Sequence, residues 1–194
     1  MPEALERPRT GVLAAAIRHH SEVLRRLPDA VGTDFGSALA DLREALAGGG
    51  KILVCGNGGS AADSQHFAAE LTGLPEPVAA IALTVDTSAL TAIANDHGYT
   101  EVFSRQLRAL GAPGDVLVAI STSGRSANVL AACGAARRIG LRVIGLTGAD
   151  GGPLADRCDV CLRVPARQTA RIQEMHGLLL HALWAGILEE ARPR

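Results

Sequence analysis

The chain has 194 residues and a formal net charge of −1, with 20% charged residues. A near-neutral chain of this length suits one domain with a real core, and it does not favour a nucleic-acid binder or a basic membrane-surface protein. Hydrophobic residues make up 47% of the chain but aromatic residues only 3%. We therefore expect a core of Ala, Leu, Val and Ile, as in helices packed on a parallel sheet, and a small-molecule partner.

The sequence shows no signal for export. No apolar run approaches the roughly 20 residues of a membrane span, and the segment MPEALERPRT lacks the apolar core of a secretion signal. We expect a cytoplasmic protein whose four cysteines are reduced thiols. Cys158 and Cys161 form a lone CxxC in a segment that favours a strand, so a structural role is expected rather than a zinc or redox role.

The first elements are predicted to be helices. Apolar residues recur at helical spacing over residues 8–27 and again over 34–47, which predicts an N-terminal helix pair within residues 1–48. Such a pair can cover a sheet edge, pack against another subunit, or pack on its own domain. Residues 51–194 are predicted to form an α/β core with a long last helix, so that 1–194 is a single domain.

The first strand and the turn after it organise this core. Residues 51–55 are a short apolar run that predicts a buried parallel strand. Gly56, Gly58 and Gly59 follow and let the backbone approach a ligand closely, and Ser60 is expected to cap the next helix. A strand, a glycine-rich turn and a helix N-terminus together suit the binding of an anion.

Two reactive side chains lie on the helix that follows this turn. His66 and Glu70 are four residues apart and share one helix face. There they can converge on a metal or a reacting carbon, or they can form a surface pair.

Strands then alternate with helices to the end of the chain. Strands are predicted at residues 78–83, 116–120, 143–146 and 160–164, and helices at 88–95, 99–110, 127–138 and 169–190. This order predicts a parallel sheet with right-handed crossovers, in which ligands bind at the carboxyl ends of the strands.

A second polar turn is predicted at that edge. Residues 121–126, with the sequence STSGRS, supply hydroxyl groups just before a helix N-terminus, which suits a phosphate. Neither turn has the spacing of a dinucleotide or nucleoside triphosphate signature. The pattern favours a sugar phosphate held by hydroxyls and backbone amides.

Four segments in this order resemble the sugar isomerase (SIS) family, and within it the phosphoheptose (sedoheptulose-7-phosphate) isomerases: CGNGGSAADSQHFAAELTG, ISTSGRSANVL, LTGADGG and ARIQEMHGLLLHAL. The resemblance implies a three-layer α/β sandwich with a five-stranded parallel sheet and a homotetramer with active sites between subunits. It also implies interconversion of sedoheptulose 7-phosphate and D-glycero-D-manno-heptose 7-phosphate through an enediolate, with one Zn²⁺ per subunit.

The resemblance also implies site residues. An isomerase of this kind needs a base and an acid near two carbons, and Glu70 and His181 are the expected pair. The implied zinc ligands are His66, Glu70, Gln173 and His181. The implied substrate contacts are Asn57, Gly58, Gly59, Glu70, Asn95, Asp96, Ser121, Thr122, Ser123, Ser126 and Gln173.

Other interpretations of these residues remain open. His176 is one turn from Gln173 and is a second-choice ligand by spacing alone, while Asn95 and Asp96 can simply end a helix. Ala170 and the short 74–77 loop depart from the family pattern, so another sugar phosphate is possible. A non-catalytic relative that binds the replication initiator has similar segments, but a scaffold of that kind has no physical need for Glu70 and His181.

Overall fold

The computed structural model describes residues 10–191, and its first element is one long helix, α1 (Thr10–Ala47). The predicted pair of N-terminal helices is therefore wrong. Pro28 lies inside α1 on its exposed side, where the carbonyl that its missing N–H leaves unpaired can bond to water. Buried Val23, Leu27 and Val31 continue one apolar stripe past it, and burial of each side chain, worth about 1.5–3 kcal/mol, offsets the proline.

The sheet has five parallel strands, as predicted. These are β1 (Ile52–Cys55), β2 (Ala80–Ala82), β3 (Val116–Ile120), β4 (Arg142–Thr147) and β5 (Val160–Arg163), in the order β2-β1-β3-β4-β5. All neighbours run parallel. Because β1 connects to β2 on one side while β3 lies on its other side, the direction of winding reverses between β1 and β3, and ligands bind at such a point in open α/β sheets.

Helices cover both faces of the sheet. The chain adds α2 (Gly59–Thr72), α3 (Thr87–His97), a 3-10 turn (Tyr99–Glu101), α4 (Val102–Leu110), α5 (Ala127–Ile139), α6 (Gly152–Ala155) and α7 (Thr169–Ala191). Residues of α1, α2 and α7 pack on one face, and residues of α4, α5 and α6 pack on the other. The predicted three-layer α/β sandwich is confirmed.

The alternation along β1 shows how one strand supplies both cores. Ile52 and Val54 belong to the α1/α2/α7 side, whereas Leu53 and Cys55 belong to the opposite side, and all four are fully buried. This is the period of two expected for a strand covered on both faces. None of the helices within residues 10–191 is long and apolar enough to cross a membrane.

Candidate active site

A polar cavity of about 310 Å³ opens at the carboxyl ends of β1 and β3, where the winding reverses. Both predicted polar turns contribute to it. Its lining consists of Asn57, Gly58, Gly59, Ser60, Ile120, Ser121, Thr122, Ser126, Thr169 and Gln173. The structure thus brings together seven of the predicted substrate contacts in one cavity.

The turn after β1 depends on glycine. Gly58 is the N-cap of α2 with φ 58°, a conformation that favours glycine, and no side chain caps the helix. Ser60 therefore lies within the first turn of α2, and its predicted capping role is wrong. A Cβ added to Gly59 would lie 2.4 Å from Gln173 Nε2, so the absence of a side chain lets α7 approach the start of α2.

The turn after β3 is held by its own hydroxyls and by a glycine. Ser121 Oγ and Ser126 Oγ are 3.0 Å apart, and Arg125 N donates to Ser123 Oγ at 3.2 Å. Gly124 has φ 63°, and a Cβ there would lie 1.9 Å from Gly151 O. The turn can keep this shape only with glycine at position 124.

His66, Glu70 and His181 meet within one chain. His66 Nε2 and His181 Nε2 are 2.8 Å apart, and Glu70 Oε1 lies 3.9 Å from His66 Nε2. Trp184 Nε1 donates to Glu70 O at 3.1 Å. Gly59 lies against Gln173, His66 against His181 and Glu70 against Trp184, so α2 and α7 run side by side in the same direction, from the cavity outward.

The nitrogens of His66 and His181 lie so close together that something must lie between them. Two neutral imidazole nitrogens at 2.8 Å repel each other if both present lone pairs, so the contact needs either a shared proton or a cation. Imidazole and carboxylate are also the ligands that zinc takes in proteins, so these residues fit a zinc ion. Within residues 10–191, however, no three His, Cys, Asp or Glu side chains are already grouped as a metal site, and the four-residue ligand set stays a prediction.

Asp63, one turn before His66, was not anticipated from the sequence. Its Oδ2 atom is buried and has no hydrogen-bond partner in the described part of the chain. Burial raises the pKa of Asp63, and the nearby His66 opposes that rise. The carboxylate adds negative charge beside the histidine pair. Its spacing of three residues from His66 was the only signal for it in the sequence.

Some predicted site residues lie elsewhere. Asn95 and Asp96 are exposed at the end of α3, where Asn95 Nδ2 donates to Asp96 Oδ1 at 2.7 Å, and neither lines the cavity. Ser123 is exposed and lines a neighbouring cavity with Thr122. The roles of these three residues stay predictions.

His176, the second-choice ligand, is a core residue. It is fully buried, and its Nε2 lies 3.2 Å from Thr147 O. Burial lowers the pKa of His176 to about 4, although the contact with Thr147 opposes this. A buried imidazole that is already bonded to the backbone is not placed to meet His66, whereas Gln173 faces the cavity.

The CxxC cysteines pack beside a glycine of β4. A Cβ added to Gly145 would lie 2.4 Å from Cys158 Sγ and 3.4 Å from Cys161 Sγ. The hydrogen bond from Cys158 lowers the pKa of Cys161 to about 7, and all four cysteines of the chain are free. The thiols fill space that a larger residue at position 145 would occupy, which supports the expected structural role.

A cavity of about 470 Å³ lies at the opposite, amino-terminal edge of the sheet. Four of its five charged side chains are paired with each other. Lys51 Nζ donates to Asp115 Oδ2 at 2.6 Å, and Arg142 Nη2 donates to both oxygens of Asp41 at 2.7 and 2.9 Å. Size alone therefore does not identify the site, because the smaller cavity is the one that joins both polar turns where the winding of the sheet reverses.

Comparisons with known proteins identify the family. The SIS domain family profile matches residues 17–148. Phosphoheptose isomerase from Aromatoleum aromaticum is 58% identical over 166 residues, covering 82% of this chain and 84% of that protein. The enzyme from Thiobacillus denitrificans is 60% identical over 149 residues, covering 73% and 76%.

A solved structure agrees with these sequence matches. Phosphoheptose isomerase from Neisseria gonorrhoeae is similar with a TM-score of 0.89 and 51% identity, covering 92% of this chain and 97% of that one. Matches of this identity extend over most of both proteins in each pair. The chain therefore belongs to the SIS domain family and, within it, to the phosphoheptose isomerases.

Proposed function

We propose that this chain is an aldose–ketose isomerase that interconverts sedoheptulose 7-phosphate and D-glycero-D-manno-heptose 7-phosphate. Its place among the phosphoheptose isomerases supports this reaction. The observation that carries the proposal is the meeting of His66, Glu70 and His181 on the same two helices that border the polar cavity.

The cavity is proposed to hold the phosphate. The N–H groups of Gly58 and Gly59, which precede the first bonded N–H of α2 at Ser60, can donate to phosphate oxygens. The hydroxyls of Ser121, Thr122 and Ser126 can do the same. The positive end of the α2 dipole lies at the same place and favours an anion. No lysine or arginine of residues 10–191 lines this cavity, so backbone and hydroxyl donors supply the recognition.

The spacing along α2 fits a seven-carbon substrate. Gly59 and His66 are seven residues apart on the helix, a rise of about 10 Å at 1.5 Å per residue. An extended sugar chain advances about 1.25 Å per C–C bond, so the distance from C1 to a phosphorus on O7 is about 10 Å. A phosphate at the helix start would thus bring C1 and C2 level with His66. Glu70 lies one turn further along α2, and its side chain leans back toward the helix start.

Glu70 and His181 are proposed to move the protons. Glu70 removes a proton from C1 of the ketose and returns one to C2, while His181 exchanges a proton with the oxygens on those carbons. A Zn²⁺ ion held by His66, Glu70, Gln173 and His181, one per subunit, would supply positive charge where the enediolate oxygens become negative. The half-exposed Glu70 carboxylate, with 36% of its side chain accessible, is open to a substrate.

The active molecule is proposed to be a cytoplasmic homotetramer with active sites between subunits. Val12, Leu13 and Ile17 are 72%, 66% and 56% exposed on α1, which is a cost that packing against another subunit removes. His66 is also 52% exposed, so a neighbouring subunit can close over it. Analytical ultracentrifugation of the wild type and of Ile17→Glu tests this, since the variant is expected to form an assembly of lower mass.

The reaction itself is tested with purified protein, Zn²⁺ and sedoheptulose 7-phosphate, following the aldose by NMR. Ribulose 5-phosphate, which is shorter by two carbons, is the comparison substrate, because its C1 and C2 fall about 2.5 Å short of the histidines. We expect turnover of the heptose at a kcat/KM at least tenfold higher. Absence of turnover together with tight binding to a replication initiator would overturn the proposal.

A further inference from the structure

The side chains of Asn57 and Asn128 form a closed pair beneath the phosphate cavity. Asn57 Nδ2 donates to Asn128 Oδ1, and Asn128 Nδ2 donates back to Asn57 Oδ1, each at 2.9 Å. Asn128 lies in the first turn of α5 and is only 3% exposed. Val129 N also donates to Asn128 Oδ1 at 3.0 Å. The pair therefore joins the turn after β1 to the helix that follows the turn after β3.

Tyr99 adds a third contact from another part of the chain. Its hydroxyl donates to Asn57 Oδ1 at 3.1 Å, although 61% of Tyr99 is exposed. Tyr99 begins the 3-10 turn directly after Gly98, whose φ of 83° ends α3. Burial does not explain a tyrosine in this position, and its defined polar contact is the one with Asn57.

These contacts use both acceptor positions of the Asn57 amide oxygen. An amide oxygen accepts two hydrogen bonds, and Asn57 Oδ1 has both, from Asn128 and Tyr99. An amide nitrogen donates two, and Asn57 Nδ2 uses one on Asn128. The second N–H of Asn57 has no partner within residues 10–191, and because Asn57 lines the cavity, this N–H remains for a ligand.

We infer that Asn128 and Tyr99 are positioning residues that fix the side-chain amide of Asn57 so that it presents N–H, and not C=O, to the phosphate. The inference rests on the proposed function for the nature of the ligand. If the amide turned over, its oxygen would face the dianion and both bonds to Oδ1 would be lost. Neither Asn128 nor Tyr99 needs to touch the substrate for this effect.

The test measures binding of inorganic phosphate by calorimetry, together with KM and kcat for sedoheptulose 7-phosphate, in a double-mutant cycle. Tyr99→Phe removes one hydroxyl from an exposed side chain and is expected to weaken phosphate binding about fivefold, the value of one hydrogen bond. KM should rise by a similar factor with little change in kcat. Thr100→Val, which removes a hydroxyl from the next exposed residue, is the control and should change neither quantity.

The decisive comparison uses the Asn57→Ala background. If Tyr99 acts through Asn57, Tyr99→Phe causes no further loss of phosphate binding in this background. Asn128→Ala should weaken phosphate binding at least tenfold in the wild type and should likewise cause no further loss in the Asn57→Ala background. Equal losses in both backgrounds, or no loss from Tyr99→Phe in the wild type, would overturn the inference. Absence of turnover by a wild type that still binds phosphate would contradict the proposed function alone, and the binding cycle would still test the amide.

Discussion

The two edges of the sheet each carry a polar cavity, but they differ in how their polar groups are used. At the amino-terminal edge, Asp115 accepts bonds from Lys51 N, Lys51 Nζ and Ala112 N, and Arg142 is paired with Asp41. At the carboxyl-terminal edge, one N–H of Asn57 has no partner in the part of the chain that the structure describes, and two histidine nitrogens face each other. Satisfied groups stabilise the fold, whereas unsatisfied groups that are held in place are available to a ligand.

The largest expected effect is at the reacting end of the carboxyl edge. Glu70→Gln keeps the shape of the side chain but removes the base, so kcat should fall about 10³-fold. Phosphate binding should stay within about twofold, because Glu70 lies eleven residues past Gly59 on α2, a rise of about 16 Å, and an isosteric change there leaves the donors of the turns in place. Turnover assays and calorimetry measure the two quantities, with Glu44→Gln, an exposed helical residue at the opposite edge of the sheet, as the matched control. If both quantities were lost together, Glu70 would be structural.

The next effect is at the phosphate end of the same edge. Gly124→Ala puts a Cβ 1.9 Å from Gly151 O at a residue with φ 63°, so the turn must move. We expect a loss of unfolding free energy of about 2–3 kcal/mol, measured by urea denaturation, and phosphate binding at least tenfold weaker. Gly32→Ala is the control, since nothing lies within 4 Å of its added Cβ. Unchanged binding in Gly124→Ala would show that the turn does not hold the phosphate.

At the amino-terminal edge, a substitution among the paired polar groups should change stability but neither turnover nor KM. Lys51→Met removes one of the partners of Asp115, which is 2% exposed but keeps its backbone donors, and should cost about 1–3 kcal/mol of unfolding free energy. Although burial works to raise it, the pKa of Asp115 is held below its ordinary value by the bonds from Lys51 and Ala112.

The pH dependence of this edge has a defined sign. A carboxylate with a lowered pKa stabilises the fold above its unfolded-state pKa of about 3.9 and loses that contribution as the pH falls through its folded value. Lys51→Met should therefore reduce the acid-dependent part of the stability, while kcat and KM remain those of the wild type. A change in KM would mean that the two edges are coupled.

The smallest effect concerns a polar group near the carboxyl edge that is structural. Since burial lowers the pKa of His176 to about 4, the unfolded state, with a pKa near 6.5, binds more protons between these values. Stability should fall as the pH drops from about 6.5 to 4, by about 2 kcal/mol between pH 7 and pH 4.5. Urea denaturation of His176→Leu should lack this component, and an equal pH dependence in both proteins would contradict the assignment.

The fold was largely predictable from local patterns. Apolar runs of the right length between glycine and proline signals gave all five strands, because strands covered on both faces are continuously apolar. The exceptions depend on tertiary context. The helices predicted over 8–27 and 34–47 are a single helix, because the stripe through Val23, Leu27 and Val31 packs without interruption past Pro28. The single turn of α6 was too short to give a periodic signal.

The site was predictable only in part. The two polar turns could be placed at one edge from strand order alone. The contact between His66 and His181 joins residues 115 positions apart, and no spacing in the sequence specifies it; the family resemblance suggested it. The bonds of Asn57 to Asn128 and Tyr99 were not anticipated, since asparagine and tyrosine give no periodic signal and the contacts are long-range.

The central claim is that Glu70 and His181 move a proton between two carbons of a sugar whose phosphate sits in the cavity at β1 and β3. It is tested most directly by running the reaction in D₂O with Zn²⁺ and sedoheptulose 7-phosphate and locating deuterium in the aldose by NMR. We predict deuterium at C2 in the product of the wild type and no exchange with Glu70→Gln. Turnover or exchange that persists at the wild-type rate in Glu70→Gln would contradict it.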